Sequence, residues 1–296
     1  MLTQDEMIGL QAEKHELVKL SQFDSKEEFI LHLIHEAAYN YAAMTSIGKN
    51  VLDLGCNTGY GSNIINKKCK SISGVDVSEN AITFALREFS NNGIDFKVVN
   101  GKNLPFHDNQ FDMITSFQVI EHIVDCSNFI AELKRVLSPN GFVIFTTPNS
   151  CIRLDPGMKP WNTFHVKEYT ANEIERLLSE FFVNVKVLGL FATEEITTIE
   201  KNRVFSARNN CRLRNSGVKQ EMPLFQKIDS VMPYRIKIFL KKIHKSIVTN
   251  KQVVELQKKY TWRDLCYSDK NLDQSLDLMV ICSNEEINYV VDEITK

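Results

Sequence analysis

The sequence lacks the features that mark disulfide-stabilised, zinc-binding and membrane-spanning proteins. It holds seven cysteines among 296 residues, an odd number, and no two stand in a C-x-x-C spacing. A disulfide framework or a zinc knuckle is therefore not predicted. No stretch approaches the roughly 20 apolar residues that span a bilayer. The first twenty residues carry acidic side chains where a signal peptide would have an apolar run. These absences predict a cytoplasmic protein with reduced thiols.

The sequence also lacks a basic excess. Lysine and arginine number 35 against 37 acidic residues, which gives a formal net charge of −2. A protein that neutralises many phosphates usually carries a positive excess, so nucleic acid is not an expected partner. The hydrophobic fraction of 43% is enough for one large core, alone or with a smaller appended domain.

Short apolar runs alternate with helical patterns between residue 50 and about residue 190. Such alternation predicts a parallel sheet covered by helices on both faces. Thr170 and Glu173 have the spacing of a capping box at one of these helices. Leu276–Ser283 has the composition of one more buried strand. We therefore predict a doubly wound, Rossmann-like α/β fold with about seven strands, mostly parallel, and a helical insertion before the last strand.

Four regions are predicted from these patterns. Residues 1–49 form an N-terminal helical segment, and residues 50–190 form the core. Residues 191–273 are more basic and polar and break the alternation, so they form a helical insertion that caps the substrate site. Residues 274–296 supply the last core strand and the C-terminus.

The segment Val51–Ser62, VLDLGCNTGYGS, has the strongest functional signal. An apolar strand leads into a glycine-rich turn and then a helix, an arrangement in which backbone N–H groups can approach a ligand closely. Three residues separate Gly55 from Gly59, which differs from the G-x-G-x-x-G spacing that seats a pyrophosphate. Asp53 precedes the glycines, which favours a ligand with an amino group and a carboxylate. The alternative is a turn that binds no ligand.

The segment GVDVS places Asp76 at the end of the next strand. A carboxylate there can accept both hydroxyl groups of a ribose, a role shared by several nucleoside-binding families. The alternative is an acid that caps the following helix.

Five segments occur in an order that resembles class I S-adenosylmethionine (SAM)-dependent methyltransferases, and the resemblance covers about Tyr39 to Leu190 and the last strand. They are VLDLGCNTGYGS, GVDVS, NGKNLPF, FDMITSFQVIEH and LKRVLSPNGFVIFTTPN. Within that family, TPN followed by FHVKEYT is similar to methyltransferases of glycan- and sugar-modifying pathways. The resemblance implies SAM as the cofactor.

The resemblance also implies which residues hold the methionine part of SAM. Gly55, Cys56, Asn57 and Gly59 would wrap it, and Asp53 would lie near its amino group.

For the adenosine part, the resemblance assigns the ribose to Asp76 and the adenine face to Val77. Asn100 stands where the family commonly has aspartate, and its side-chain oxygen can still accept from the adenine amino group. Gly101 and Lys102 would flank the same edge of the ring.

The residues nearest the transferred methyl group would follow the fourth and fifth strands. Phe117 and Gln118 would pass beneath the sulfonium. If the acceptor is a hydroxyl, a base is needed within hydrogen-bond reach. Glu121 with His122, and His165, follow strands at the edge of the sheet where ligands bind, and a neutral histidine is a suitable base. The alternative for these three residues is a purely structural role.

We therefore predict methyl transfer from SAM to oxygen or nitrogen of a small molecule. The first expected acceptor is a sugar or glycan-pathway intermediate, for example a nucleotide- or lipid-linked sugar. The alternatives are a natural-product or quinone-type methyltransferase, an RNA methyltransferase that uses the basic insertion, and a non-catalytic SAM-binding or partner-binding protein; the glycine spacing disfavours a nucleotide-dependent oxidoreductase. No metal site is predicted.

Residues 234–248, YRIKIFLKKIHKSIV, form a basic amphipathic pattern. Such a helix can lie on an anionic membrane surface, which would place the protein at the inner membrane face. The alternative is a lid helix with a solvated basic face.

Overall fold

The computed structural model describes residues 3–14, 17, 18, 22–215 and 250–286. The basic amphipathic segment 234–248 lies outside these residues. None of the helices in the described ranges combines the length and the apolar character that crossing a bilayer requires.

One sheet organises the described residues, and it contains eight strands. Their bounds in chain order are β1 Asn50–Leu54, β2 Ser71–Asp76, β3 Asp95–Val98, β4 Phe111–Phe117, β5 Leu137–Pro148, β6 Asn184–Ala192, β7 Leu265–Ser268 and β8 Asp277–Ser283.

The spatial order of the strands is β3-β2-β1-β4-β5-β8-β6-β7. The pairings among β1 to β5 are parallel, whereas β8 lies between β5 and β6 and is antiparallel to both. All seven residues of β8 are buried, as expected of a strand covered on both faces. This arrangement confirms the predicted doubly wound, mostly parallel sheet.

The region predicted as a helical insertion contributes a strand that the prediction lacked. β7 pairs antiparallel with β6, from Gly189 opposite Ser268 to Ala192 opposite Leu265, and gives the sheet its eighth strand. At four residues it is too short to show a clear period in the sequence. It nevertheless buries Leu265 and Tyr267.

Helices cover both faces of the sheet. The buried side chains of α2, α3, α8 and α9 join one apolar cluster, and those of α5 and α7 join the other. The bounds are α1 Gln4–Lys14, α2 Lys26–Thr45, α3 Tyr60–Asn66, α4 Glu79–Phe89, α5 Cys126–Val136, α6 Ser150–Arg153, α7 Ala171–Ser179, α8 Glu194–Asn215 and α9 Asn250–Lys259.

Local capping fixes where several helices begin. The predicted capping box is confirmed at α7, where Thr170 and Glu173 each accept a hydrogen bond from the other's backbone N–H. Ser25 accepts from the backbone N–H of Glu28 at 3.1 Å and begins α2.

The direction of the sheet's winding changes between β1 and β4. The chain leaving β1 and β2 packs its helices α3 and α4 in one apolar cluster, whereas the chain leaving β4 packs α5 in the other. In an open parallel sheet this switch point leaves a crevice at the carboxyl ends of the strands.

The contact between Gly61 and Tyr39 gives a test of the packing beside that crevice. A Cβ atom at Gly61 would lie 2.1 Å from Cζ of the buried Tyr39 ring. We expect Gly61→Ala to lower the free energy of unfolding by about 1–3 kcal/mol, the usual range for overpacking, measured by urea denaturation. Gly9→Ala in α1 is the matched control, because nothing lies within 4 Å of its Cβ position. Equal urea midpoints for both variants would contradict the described packing.

Candidate active site

A cavity of about 570 Å³ occupies the crevice at the switch point. Residues at the carboxyl ends of β1, β2, β4 and β5 line it, together with residues of α1, α2 and the loop that precedes α7. Its volume lies within the range of small-molecule sites.

The glycine-rich turn forms one wall of the cavity. Gly55 has a φ of +80°, and its N–H and that of Cys56 donate to the carbonyl oxygen of Val75 at 2.8 and 3.0 Å. A Cβ at Gly55 would lie 2.4 Å from Cγ2 of Val119, so the position accepts only glycine. Gly55, Cys56 and Asn57 line the cavity, and their contact with a cofactor stays a prediction.

Gly59 lies behind this wall and does not line the cavity. Its φ is +75°, and a Cβ there would lie 2.6 Å from Cζ of Phe96. This glycine therefore allows the turn to pack closely on β3, a structural role that the sequence did not distinguish from ligand contact.

Asp76 lies in the cavity wall and also holds the turn in place. Its Oδ2 accepts from the N–H of Asn57 and its Oδ1 from the N–H of Ser78, both at 2.9 Å. Each carboxylate oxygen has more than one acceptor direction. The two alternatives from the sequence are therefore compatible: Asp76 can orient the turn and accept hydrogen bonds from a ligand. Val77 lines the cavity beside it.

Asp53 is fully buried and is not among the cavity-lining residues. Its carboxylate accepts from the hydroxyl groups of Ser62 at 2.6 Å, Thr115 at 2.9 Å and Tyr39 at 3.4 Å. Burial raises the pKa of Asp53 to about 6, although these hydrogen bonds oppose the shift. The carboxylate thus ties β1 to β4, α2 and α3, and its role toward a cofactor amino group stays a prediction.

The loop after β3 reaches the cavity with two of its three residues that were predicted to lie near the adenine. The side-chain oxygen of Asn100 accepts from the N–H groups of Lys102 at 2.9 Å and Asn103 at 3.0 Å, and Asn100 does not line the cavity. Gly101 and Lys102 do line it. The side-chain oxygen of Asn100 is therefore already an acceptor within its own loop. Its predicted hydrogen bond with an adenine would compete with these two bonds.

The N-terminal segment reaches the cavity, which the sequence did not predict. Gln4, Ile8 and Gln11 of α1 line it, as does Val18. The N–H of Val18 donates to Oδ1 of Asn57 at 3.0 Å, so the segment contacts the glycine-rich turn directly. A short helix with few apolar residues gives no sequence signal for such a contact.

Aromatic side chains of α2 and α3 form a further part of the wall. Tyr39 lies with its ring centroid 4.8 Å from that of Phe117 and 5.3 Å from that of Tyr60. His32 follows at 5.1 Å from Tyr60, and burial lowers its pKa to about 4, so it is neutral at cellular pH. Of these four residues, only Phe117 was predicted to belong to the site.

Gln118 follows β4 in the left-handed region, with a φ of +57°. Its Nε2 donates to Oδ2 of Asp277 at 3.0 Å and to Oγ1 of Thr146 at 3.1 Å. Burial raises the pKa of Asp277 well above its ordinary value. Gln118 lines the cavity. Its hydrogen bonds to Thr146 and Asp277 also connect the end of β4 to β5 and β8.

Glu121, His122 and His165 come together in the wall of the cavity, although 44 positions separate Glu121 from His165 in the sequence. We refer to them as the Glu-His-His cluster. One ligand atom of each residue lies within 4.8 Å of those of the other two. The histidine rings meet edge to face, with centroids 4.8 Å apart. The structure thus unites the three residues predicted to be catalytic.

Each histidine of the cluster has a fixed orientation. Nδ1 of His122 lies 2.8 Å from the carbonyl oxygen of Phe164, which can only accept, so Nδ1 carries the proton. Nδ1 of His165 lies 2.7 Å from Oε1 of Glu168. Arg153 holds Glu168 through two hydrogen bonds of 2.8 and 3.0 Å. Burial opposes ionisation of Glu168, but the bonds from His165 and Arg153 prevail and lower its pKa.

Glu121 is almost completely buried, with 1% of its surface exposed. Its Oε2 accepts from Oγ1 of Thr147 at 3.1 Å, whereas its Oε1 has no hydrogen-bond partner among the described residues. Burial raises the pKa of this carboxyl group, and His165 opposes the shift. The backbone oxygen of Glu121 accepts from the N–H of Val166 at 2.8 Å, which holds the loop carrying His165 against the turn that follows β4.

Comparison with known proteins agrees with this geometry. Residues 52–145 match a family described as a methyltransferase domain. Over 159 residues the chain is 35% identical to a probable SAM-dependent methyltransferase of Mycolicibacterium smegmatis. The aligned region makes up 53% of this chain and 61% of that protein. The chain is 31% identical over 105 residues to the ubiquinone biosynthesis O-methyltransferase of Thiobacillus denitrificans, with 34% and 45% covered.

The chain thus spans less than two thirds of the length of these relatives. Among solved structures, a SAM-dependent methyltransferase of Mesorhizobium loti is matched with a TM-score of 0.46 and 18% identity, over 58% of this chain and 91% of that one. The sheet order, the glycine-rich turn at the switch point and the family match over the same residues agree with one another. Over residues 52–145 the chain is therefore similar to methyltransferase domains, and the relative from Mycolicibacterium smegmatis is a probable SAM-dependent methyltransferase.

Proposed function

We propose that the chain is an enzyme that transfers the methyl group of SAM to oxygen or nitrogen of a small molecule. The observation that carries this proposal is the placement of two groups in one cavity. The glycine-rich turn with Asp76 forms one part of the wall, and the Glu-His-His cluster forms another. A cofactor and a second molecule bound there would share one space, which methyl transfer requires.

The residues of the first part suit the cofactor. Gly55, Cys56 and Asn57 of the turn line the cavity, and Asp76 presents a carboxylate to ribose hydroxyls. Gln11 has a buried Nε2 without a hydrogen-bond partner among the described residues, and it lines the same cavity. Such a donor is satisfied when a polar ligand binds. Val77 supplies an apolar surface for the adenine.

The residues of the second part suit a polar acceptor. Trp161 lines the cavity, and its buried Nε1 has no hydrogen-bond partner in the described part of the chain. His32, in the aromatic wall of the same cavity, likewise has a buried Nδ1 without a partner among the described residues. These groups favour an acceptor rich in oxygen atoms, and together with the TPN…FHVKEYT pattern they support a sugar or glycan-pathway intermediate. The similarity to an enzyme of ubiquinone biosynthesis supports a quinone-type acceptor as the second candidate.

SAM supplies an electrophilic methyl group on its sulfonium sulfur. His165 has the arrangement of a general base, because its Nδ1 donates to Glu168 and leaves Nε2 to accept the proton of an acceptor hydroxyl. Glu168 then stabilises the imidazolium that forms. His122, held by the carbonyl of Phe164, is the second candidate for the base. The aromatic wall around Tyr39 and α1 excludes water from the reacting atoms.

Binding of the cofactor is tested at Asp76. Asp76→Asn keeps one oxygen for the N–H of Asn57 but loses the charge and the acceptor for the N–H of Ser78. We therefore expect the dissociation constants for SAM and S-adenosylhomocysteine to rise about 10- to 100-fold. Isothermal titration calorimetry measures both. Asp95→Asn, at the opposite end of the neighbouring strand and outside the cavity, is the matched control. Unchanged binding in Asp76→Asn would refute the cofactor assignment.

The role of the histidines is tested by turnover. We expect His165→Ala and His122→Ala to lower kcat about 10²- to 10⁴-fold, the usual effect of losing a general base, while SAM binding changes less than threefold. His107→Ala, at an exposed position outside the cavity, should leave both quantities unchanged. The assay follows S-adenosylhomocysteine release with nucleotide sugars, lipid-linked sugars and quinols. Full turnover in both variants would show that the acceptor supplies its own nucleophile, as a neutral amine can.

A further inference from the structure

The structure assigns a divalent metal site to the Glu-His-His cluster, and we propose that it binds a first-row transition-metal ion such as Zn²⁺. No metal-ligand spacing in the sequence indicates this site, because Glu121 and His122 are adjacent while His165 lies far along the chain. The metal site itself depends only on the described side chains. The use of this site in methyl transfer rests on the proposed function.

The donor atoms are of the right kind and are close together. One carboxylate oxygen and two imidazole nitrogens form a common ligand set for Zn²⁺ and for other ions that favour nitrogen. In the cluster these atoms lie within 4.8 Å of one another. Three ligands around one tetrahedral ion lie about 3.4 Å apart, so side-chain adjustments of about an ångström complete the site.

Both histidines are held in the orientation of metal ligands. Metal-bound histidines generally donate their second ring nitrogen to a carboxylate or a backbone carbonyl, which fixes the tautomer. Here both kinds of partner are present: His165 faces Glu168 at 2.7 Å and His122 faces the carbonyl oxygen of Phe164 at 2.8 Å. In each ring the nitrogen left with a lone pair is Nε2.

The unpartnered oxygen of Glu121 is an independent indication that this cluster binds a cation. Glu121 is buried, and its Oε1 has no hydrogen-bond partner within the described residues. A buried carboxylate oxygen without a partner is destabilising, and a cation beside it offsets that cost. The nearby arginine, Arg153, binds both oxygens of Glu168 and is therefore engaged with another carboxylate.

The site would leave room for the acceptor. Three protein ligands leave at least one coordination position open on Zn²⁺, and the cluster lines the cavity in which we place the acceptor. A hydroxyl bound to the ion would have a lowered pKa and would release its proton to solvent as the acceptor binds, before water is excluded from the reacting atoms. If the proposed function holds, the two histidines then act as ligands, and the ion orients and activates the acceptor oxygen.

Metal binding by the purified protein tests the inference without any measurement of activity. The full chain is stripped with a chelator, carries Cys151→Ser and Cys266→Ser to remove its two exposed thiols, and is titrated with Zn²⁺ by calorimetry and with Co²⁺ by visible absorption. We expect one equivalent of Zn²⁺ to bind with a micromolar or lower dissociation constant. We also expect Co²⁺ to give ligand-field bands without a thiolate charge-transfer band. Mg²⁺, which prefers oxygen ligands, should bind far more weakly.

Variants locate the bound ion. Glu121→Gln and His165→Ala should each weaken Zn²⁺ binding at least 100-fold, and Glu168→Gln about 10- to 100-fold, as expected for the partner of a ligand. His107→Ala is the control and should bind like the parent. Far-ultraviolet circular dichroism shows whether each variant is folded, and either Glu121→Gln or His165→Ala alone is sufficient for the conclusion. Absence of stoichiometric Zn²⁺ binding, or equal binding in a folded ligand variant, would overturn the inference.

Titration of the metal-free protein with SAM separates this inference from the proposed function. If SAM binds and Zn²⁺ does not, the metal site is refuted and the histidines remain candidates for the base. If Zn²⁺ binds at the cluster and SAM does not bind, the metal site stands and the proposed methyl transfer fails.

Discussion

The arrangement of the whole site depends on the hydrogen bonds that join the carboxyl ends of β1 and β2. The carbonyl oxygen of Val75 accepts from Gly55 and Cys56, and the carboxylate of Asp76 accepts from Asn57. These bonds bend the chain sharply at the end of β1, which is possible because Gly55 adopts a positive φ. The turn consequently lines the crevice. α3 begins directly after it, and α2 packs on the same side of the sheet.

A second set of contacts positions the part of the cavity wall that holds the Glu-His-His cluster. Gln118 connects β4 to β5 and β8, and the backbone oxygen of Glu121 holds the loop that carries His165. The Glu-His-His cluster is therefore supported by three strands and by the ion pair between Arg153 and Glu168. Support of this kind keeps rotamers fixed, which both general-base catalysis and metal binding require.

Much of the fold could be predicted because its causes are local. Apolar runs marked the long strands, and the Thr170–Glu173 spacing marked the start of α7. The site was less predictable, because it depends on contacts between distant residues. Asp53 turns toward three hydroxyl groups from other elements, Asn100 toward its own loop, and α1 reaches the cavity from residues that carry no motif. Neither a motif nor a periodicity reports where such a side chain points.

The position of β8 has a consequence for how the chain acquires its structure. β5 and β6 are joined only through β8 in the described sheet, although both precede it by many residues. During synthesis, the strands from β1 to β5 can assemble early, whereas β6 and β7 have no place in the sheet until β8 arrives. Asp277, the first residue of β8, then binds Gln118. The cavity therefore reaches its final shape late. Until β8 is in place, the edges of β5 and β6 that it covers stay open to pairing with other chains.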